Sequence, residues 1–416
     1  MNFNLKSGYI LNCLKNSIYV LIFFFFTTSQ VYSYTESNKK IGLINKLYFA
    51  GFSFTGDYEN KKEVFKFFRK FGDKKISKFF INIAQNLNTK YFDLLADPEK
   101  NKLIKLNDND ANILAFAITH EDFVIEKSYN SGREIGFYEA YFNIIIYDFN
   151  NRNLLNSIPV SVHLTISKPN KITTTDILSE IEKLYFGEGD KIQDSLFFKD
   201  IQKKLENLKV KRKYTNKVGI TKTLIESDAK KMLPPYLKKN LNAYKNYASQ
   251  VFLANLSKHH DLAFVPYNEG ELYGKTLKLR FVNQRLIHNV YLPDPDIHIY
   301  LKIMNFKNVL AEENASEKLF YYASYINIKF IQPELSEINE EKGTYFDENL
   351  RGVQKETIPK GIAKVDDWRK YMFNYNSLCN DFSINIKKFD NAWAKLTHQK
   401  PSQLKKSLKT LYKKIN

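Results

Sequence analysis

The sequence predicts an α+β fold of two related modules, each with helices packed on a mainly antiparallel sheet, followed by a helical tail. Three observations favour this class. Hydrophobic residues make up 44% of the 416 residues, which is enough for packed cores. Some segments alternate apolar and polar residues as half-buried strands do, and others repeat apolar residues at helical spacing. Two strand-like segments of the first half also recur in the second half.

The N-terminus has the pattern of a cleavable secretory signal. Two lysines precede an apolar run at 18–26, and small residues follow, the last of them Ser33. The run is much shorter than the roughly 20 residues of a membrane-spanning helix. We therefore expect residues 1–33 to be a signal peptide cut between Ser33 and Tyr34, and the protein to be periplasmic or secreted. An uncleaved N-terminal anchor is the alternative.

The first module is predicted over residues 42–210 and begins with the aromatic strand KLYFAGFSF. Apolar residues at 76, 79, 80, 83 and 87 form one helical stripe, and from residue 113 the period changes to two. The predicted order is strand 46–54, helices 58–71 and 76–89, a short strand 91–95, long strands 113–127, 137–149 and 154–165, and helices 176–186 and 192–208.

The second module is predicted over residues 217–360, with strand 218–225, helix 237–258, a short strand 261–267 and strands 297–306 and 320–331. Its order resembles that of the first module. The segment AYFNIIIY at 140–147 matches SYINIKFI at 324–331, and residues 110–118 match 296–304. These matches predict gene duplication. The alternative is that any two α+β units share alternating apolar strands.

The tail is predicted as helical over residues 365–416, and it is strongly basic. Residues 387–416 hold nine lysines and one aspartate. An apolar stripe runs along the last helix beside five lysines, which are candidates for contact with an anionic surface. The alternative is that the stripe docks the helix on its own domain. The stripe consists of Leu404, Leu408, Leu411 and Ile415, and the lysines are Lys405, Lys406, Lys409, Lys413 and Lys414.

Charge and cysteine content narrow the function classes. The formal net charge of +18 suits an anionic partner, although compositional drift in a lysine-rich chain is the alternative. Expected export and the lack of a recognisable nucleic-acid-binding motif argue against nucleic acid. Cys13 lies within the signal, so Cys379 cannot form an internal disulfide in the mature chain. A single cysteine in mid-helix is usually a small core residue.

Recognisable catalytic or metal-binding motifs do not occur in the sequence. His259, His260, Asp261, His288 and His298 could approach one another in the second module, but their spacing is unlike that of zinc ligands. His120 and Asp122 share one face of a strand and could hold a cation, although a solvated face or a bulge explains them as well. Asp294-Pro295-Asp296 is typical of a turn. We expect no metal or cofactor.

The segment 42–165 resembles the α/β unit shared by the CsgG-like and TolB N-terminal families of exported envelope proteins. The order of elements and the sequence YDFNNRNLLNS at 147–157 carry the resemblance, while the first strand ends in FSF where those families usually have a proline and an aromatic residue. The resemblance implies a non-enzymatic domain that assembles or binds partners at the cell envelope.

Together these features predict a non-catalytic exported protein that binds an envelope protein or an anionic polymer or surface, with peripheral membrane contact as a further prospect. The alternative is an exported hydrolase that uses a carboxylate or histidine cluster in the second module.

Overall fold

The computed structural model describes residues 42–55, 65–96, 111–127, 132–214, 216–267, 276–282, 287–336, 343–360 and 367–415. The predicted signal peptide, including Cys13, Ser33 and Tyr34, lies outside the described residues, as does the first half of the predicted helix 58–71. The described part of that helix is a turn followed by a short 3-10 helix, Phe68–Phe71.

The α+β class is confirmed, but all described strands lie in one mixed sheet rather than in two separate sheets. The sheet has 12 strands in the order β12-β11-β10-β6-β7-β5-β4-β3-β1-β8-β9, with β2 also paired to β1. The strands are β1 (Lys46–Phe54), β2 (Asp93–Leu95), β3 (Asn112–Lys127), β4 (Glu134–Asp148), β5 (Leu154–Lys168), β6 (Val218–Ile225), β7 (Phe264–Val265), β8 (Thr276–Phe281), β9 (Ile287–Tyr291), β10 (Ile297–Glu313), β11 (Glu317–Ile331) and β12 (Thr344–Pro359).

The described helices cover both faces of this sheet. They are α1 (Asp73–Asn86), α2 (Thr174–Phe186), α3 (Leu196–Leu205), α4 (Ser227–Met232), α5 (Pro235–Lys239), α6 (Leu241–His259), α7 (Pro333–Ser336), α8 (Asp367–Lys387), α9 (Asn391–Thr397) and α10 (Pro401–Ile415). The predicted helix 192–208 is interrupted at Ser195, which is extended and whose hydroxyl caps α3 by accepting from the amide of Phe198.

Strand pairing follows one pattern twice. In the first strand set, β1–β5, strand β1 pairs parallel with β3, and β3, β4 and β5 follow antiparallel. In the second strand set, β6, β7 and β10–β12, strand β6 pairs parallel with β10, and β10, β11 and β12 follow antiparallel. The short strands β2 and β7 pair parallel with β1 and β6.

Three irregularities in the pairing recur at matching points of the two strand sets, while a further one, at Ala311 in β10, has no counterpart in β3. The register shifts fall at Ala50 in β1 and Thr221 in β6, at Thr119 in β3 and Met304 in β10, and at Leu155 in β5 and Tyr345 in β12. Pairing therefore aligns β3 with β10 at a shift of 185 (304 − 119), one fewer than the 186 read from the sequence. A shift of one residue moves every side chain of a strand to the other face of the sheet, so the two alignments match residues on opposite faces.

The two strand sets carry their helices on opposite sides of the sheet. Strands β5 and β7 are antiparallel, so the second set runs in the reverse direction and its faces are exchanged. On one side Phe80 of α1 stacks on Phe52 of β1 with ring centroids 4.4 Å apart. On the other side, Gln250 of α6 accepts a hydrogen bond from Asn143 of β4 at 3.4 Å. Helix α6 therefore packs against the back of the first strand set.

Three of the described strands were not predicted from the sequence: β8, β9 and the edge strand β12. The β8–β9 hairpin covers the part of the first set's back that α6 does not reach, where its Leu277 and Leu279 pack with Ala115 and Ala117. The hairpin lies between the predicted strands 261–267 and 297–306 and has no counterpart in the first strand set, so the repeat comparison could not predict it.

Candidate functional site

The basic tail helix is docked by its apolar stripe. All four stripe residues of α10 are at most 2% exposed, whereas its five candidate lysines are exposed. A buried carboxylate, Glu348 of β12, anchors the tail: it accepts from Ser407 Oγ at 2.6 Å and lies 3.0 Å from His398 Nε2. The docking interpretation of the stripe is confirmed, and the lysines form the outward surface of a fixed helix.

Only part of the candidate histidine cluster is brought together. His259, His260 and Asp261 line one cavity of about 620 Å³ at the end of α6, and neither His288 nor His298 lines it. His288 instead packs between the rings of Phe149 and Phe281. Among the described residues, no group of three or more His, Cys, Asp or Glu side chains is arranged to hold a metal ion.

The remaining sequence candidates have structural roles. Cys379 is buried in the middle of α8, and burial raises the pKa of its thiol, so the core interpretation is confirmed. Asp296 accepts from the Lys217 amide at 2.7 Å, a long-range contact that joins the start of β10 to the start of β6. The strand that carries His120 has a register shift next to it, at Thr119, which confirms the bulge interpretation.

A row of three titratable side chains crosses the back of the first strand set. Asp122 of β3 lies directly opposite Glu139 of β4, and Glu139 lies directly opposite His163 of β5. Directly opposed residues have Cβ atoms about 5 Å apart, so their side chains interact. The three residues line a cleft of about 400 Å³ between this face and helices α6 and α8.

Glu139 is the central group of this row. The Tyr247 hydroxyl of α6 donates to its Oε1 at 2.6 Å, the Tyr141 hydroxyl donates to its Oε2 at 3.1 Å, and His163 Nδ1 lies 3.8 Å from Oε2. Burial, with the nearby charge of Asp122 as a further cause, raises the pKa of Glu139 to about 7, although both hydroxyls oppose the rise. The carboxyl of Glu139 therefore holds its proton more strongly than an exposed glutamate does.

His163 is the most exposed member of the row, with 43% of its side chain accessible. Partial desolvation and the charge of Lys258 lower its pKa, which favours the neutral imidazole. The row can therefore offer a neutral imidazole beside a carboxyl that exchanges its proton near pH 7. This combination can hold a small polar group or transfer a proton to it.

The helices supply the opposite side of the cleft. The Arg369 guanidinium of α8 stacks 3.1 Å above the Phe137 ring and pairs with Glu126, so the cation is held by protein groups. Trp368 and Phe373 add aromatic surface, and Asn255 and Asn376 add amides. The cleft is lined by β3, β4 and β5 of the first strand set and by helices α6 and α8, so it exists only where these helices pack against that set.

Sequence reasoning singled out only Asp122 of this row. The available signal was one polar residue on the same face of each of three consecutive strands, in HED, YEAY and VSVHL. Knowing that the three are neighbours requires the register of both strand pairs, and the bulge at Thr119 changes that register by one residue.

Comparison with known proteins identifies no family. No protein-family model matches the sequence, and no curated protein matches it. Distant structural similarity is found to the hypothetical protein CT253 from Chlamydia trachomatis, with 11% identity, a TM-score of 0.25 and coverage of 42% of this chain and 98% of that chain. A neuraminyllactose-binding hemagglutinin homolog from Helicobacter pylori has 13% identity, a TM-score of 0.24 and coverage of 42% and 87%.

A minor lipoprotein from Acinetobacter baumannii has 9% identity, a TM-score of 0.17 and coverage of 42% of this chain and 88% of that chain. TM-scores this low establish neither a shared fold nor a shared function. The resemblance of residues 42–165 to the CsgG-like and TolB N-terminal units stays a prediction. Within the described part of the chain, no helix combines the length and hydrophobicity needed to cross a bilayer.

Proposed function

We propose that the protein is a non-catalytic, exported binding protein that contacts an anionic envelope polymer through the outward surface of α10. The observation that carries this proposal is the separation of the helix into two surfaces. Every residue of its apolar stripe is buried against the body of the protein, while Lys405, Lys406, Lys409, Lys413 and Lys414 are all exposed. Cations on a fixed scaffold can bind a polyanion without the entropic cost of ordering a flexible tail.

Docking of the apolar stripe of α10 favours electrostatic contact with an anionic partner over insertion of the helix into a membrane. A helix that inserts into a bilayer interface buries its apolar face among the lipids. In α10 that face is already occupied by the protein core, so membrane insertion would require the helix to leave its site. The proposed contact is therefore electrostatic, and it should weaken as ionic strength rises.

The test is binding to dextran sulfate, measured by isothermal titration calorimetry in 20 mM and 300 mM salt. Changing the five α10 lysines to glutamine should abolish most of the binding at low salt. The matched control is a set of five exposed lysines of the first half changed in the same way: Lys66, Lys70, Lys74, Lys78 and Lys199. Equal losses in the two variants would show that only net charge matters, and the proposal would be wrong.

Vesicles provide a separate arm of the test. Binding to phosphatidylglycerol vesicles that survives in high salt would indicate insertion of the apolar stripe and would contradict the proposed electrostatic contact. Export is tested by fractionation and N-terminal sequencing, which should give Tyr34 as the first residue of the mature protein. The full chain starting at Met1, folded in the cytosol, would contradict it.

We also propose that the two strand sets arose by gene duplication. Support comes from the matching strand order and the three matching register shifts, which unrelated α+β units have no reason to share. Sequences of relatives test this directly, because a common ancestor predicts higher similarity between the two halves in some of them. If the halves of all relatives are as dissimilar as random pairs, duplication loses its support.

A second candidate function is proton-transfer chemistry in the cleft, as in a hydrolase. The observation that favours it is the carboxyl of Glu139, whose pKa of about 7 suits general acid–base work. Turnover of an envelope polymer that disappears in Glu139→Gln, with polymer binding intact, would establish this function and overturn the non-catalytic proposal. Glu180→Gln, an exposed position on α2, is the control.

A further inference from the structure

The two strand sets differ in what covers their backs. The back of the first set is covered by α6 and by the β8–β9 hairpin, which bury Tyr141, Ala115 and Ala117. The corresponding surface of the second set is the side of β6 and β10–β12 away from α6 and α8. No described hairpin or helix crosses its middle, and at its edge Arg351 Nε donates to the Leu396 carbonyl of α9 at 2.8 Å. We call this surface the open face.

Three matched positions of the open face carry polar or amphipathic residues, although Leu224, Val309 and Val353 are exposed apolar residues on the same face. At the shift of 185, Ala115 and Ala117 correspond to Tyr300 and Lys302 of β10 (115 + 185 and 117 + 185). On the next strand, at the shift of 184, Ile145 corresponds to Lys329 (145 + 184). The positions that carry apolar residues under the hairpin therefore carry charged or amphipathic residues in the second set. A hairpin like β8–β9 would not be stable on the open face, because it would bury these charged groups.

Most of the charged residues of the open face are cations. Its alternating positions carry four lysines on the inner strands and one arginine and one lysine on the edge strand β12. Two of the lysines are paired with acids, Lys302 with Glu226 and Lys329 with Asp347, both at 3.4 Å. The cations are Lys222, Lys302, Lys307, Lys329, Arg351 and Lys355.

Tyrosines and amides lie between these cations. The ammonium of Lys222 lies 5.8 Å from the centre of the Tyr300 ring, and that of Lys307 lies 5.8 Å from the centre of the Tyr325 ring. Asn327 donates to Asp347 at 2.8 Å and to Asn349 at 3.0 Å, so side-chain amides occupy the middle of the face. The surface combines flat rings, cations and amides on a rigid sheet.

A second copy of this chain does not fit the open face. If a second copy continued the repeat, its helix α1, the counterpart of α6, would lie against the open face. The outward surface of α1 carries Lys74 and Lys78, and it would meet the cations of the open face with like charge. Charge complementarity therefore selects a polyanion.

We infer that the open face is a binding site for a linear acidic polysaccharide, whose carboxylates contact the lysines and whose sugar rings stack on Tyr300 and Tyr325. This inference rests on the anionic partner proposed above, and it adds a separate site and a chemical class. Aromatic rings bind flat apolar surfaces such as the C–H face of a sugar, and amides match its hydroxyls. A polyanion without sugar rings could use only the cations.

The experiment compares alginate, poly-glutamate and neutral dextran as probes for the full chain. Alginate should bind most tightly and dextran should not bind measurably. The charge variant Lys222→Gln/Lys307→Gln should weaken alginate binding about tenfold at low salt. The ring variant Tyr300→Thr/Tyr325→Thr should weaken alginate binding and leave poly-glutamate binding unchanged. Lys238→Gln/Lys239→Gln on α5 is the matched control, because both lysines are exposed away from the open face.

Thermal unfolding of each variant shows whether the sheet is intact. The variant in which the five α10 lysines are changed to glutamine distinguishes binding at the open face from binding at α10. Alginate binding that is lost in the open-face variants and kept in the α10 variant supports the inference even if α10 proves inactive. Loss in the α10 variant alone overturns the inference and leaves the proposed function standing. Equal effects of the ring variant on alginate and poly-glutamate would mean that sugar rings are not recognised, which also overturns it.

Discussion

Replacement of Glu121 by glutamine tests how one buried carboxyl group of the first strand set changes the free energy of unfolding with pH. Glu121 of β3 is 3% exposed and lies on the side of the strand opposite Asp122. Its carboxyl accepts from the amides of Phe67 and Phe68, at the start of the 3-10 helix, and from the Tyr138 hydroxyl at 2.8 Å. Glutamine can keep these contacts, since its oxygen accepts from the amides and its amide donates to Tyr138, which can then donate to Tyr185.

The expected magnitude follows from the pKa of the buried carboxyl. Burial raises the pKa of Glu121 from 4.5 to about 7, against the opposing effect of its hydrogen bonds. Between these values the native state binds more protons than the unfolded state, so the free energy of unfolding falls as pH rises. At about 1.4 kcal/mol for each tenfold change in proton affinity, the loss is about 1 kcal/mol at pH 5 and about 3 kcal/mol at pH 8.

Urea denaturation at pH 5 and pH 8 measures this difference. Relative to wild type, Glu121→Gln should gain about 2 kcal/mol between pH 5 and pH 8, because it lacks the charge that wild type must bury. Other titrating groups, including Glu139, are present in both proteins and cancel. Glu180→Gln, at an exposed ion pair, should leave the pH dependence unchanged. If wild type and Glu121→Gln lose stability in parallel from pH 5 to pH 8, the carboxyl is not buried as described.

Four further substitutions test the tail, the alignment of the two strand sets and the packing of α8. Leu408→Ala should cost about 2–5 kcal/mol in the free energy of unfolding, measured by urea denaturation, because Leu408 is 1% exposed. Ala117→Lys should lower the free energy of unfolding by more than about 3 kcal/mol, because it places an unpaired charge under the hairpin. Lys302→Ala, at the matched position of β10, should change it by less than about 1 kcal/mol. Similar costs would contradict the alignment of β3 with β10. Asn374→Ala should cost about 2 kcal/mol in thermal unfolding, since Asn374 donates to the buried carbonyls of Tyr322 and Gly352.

The elements with strong local periodicity could be predicted from the sequence. The helix at 76–89 was recognised because its apolar residues form one stripe, and it is observed as α1, Asp73–Asn86. The long strands of the first set were recognised because their alternation continues for many residues. Strand β12 was missed, since its solvent-facing positions carry mainly polar or charged residues such as Asp347 and Lys355, and its apolar residues are widely spaced.

The candidate sites depend on information that no single segment contains. The row of Asp122, Glu139 and His163 exists only because two strand pairs hold a particular register. The exposure of the α10 lysines follows from the pattern of that segment alone, because one helix determines its own two faces, and their contact with an anionic surface stays a prediction. The sequence could not show which side of a strand would be covered by elements from elsewhere in the chain.

The reversal of the second strand set connects these observations. Because its faces are exchanged, the helices of the second set fall on the back of the first set and close the cleft there. Among the described elements, no hairpin or helix crosses the middle of the second set's back. A sheet face without such a cover either pairs with another molecule or carries polar residues. At the positions matched to Ala115, Ala117 and Ile145 this chain carries Tyr300, Lys302 and Lys329, and a polar surface on a rigid sheet is available for binding.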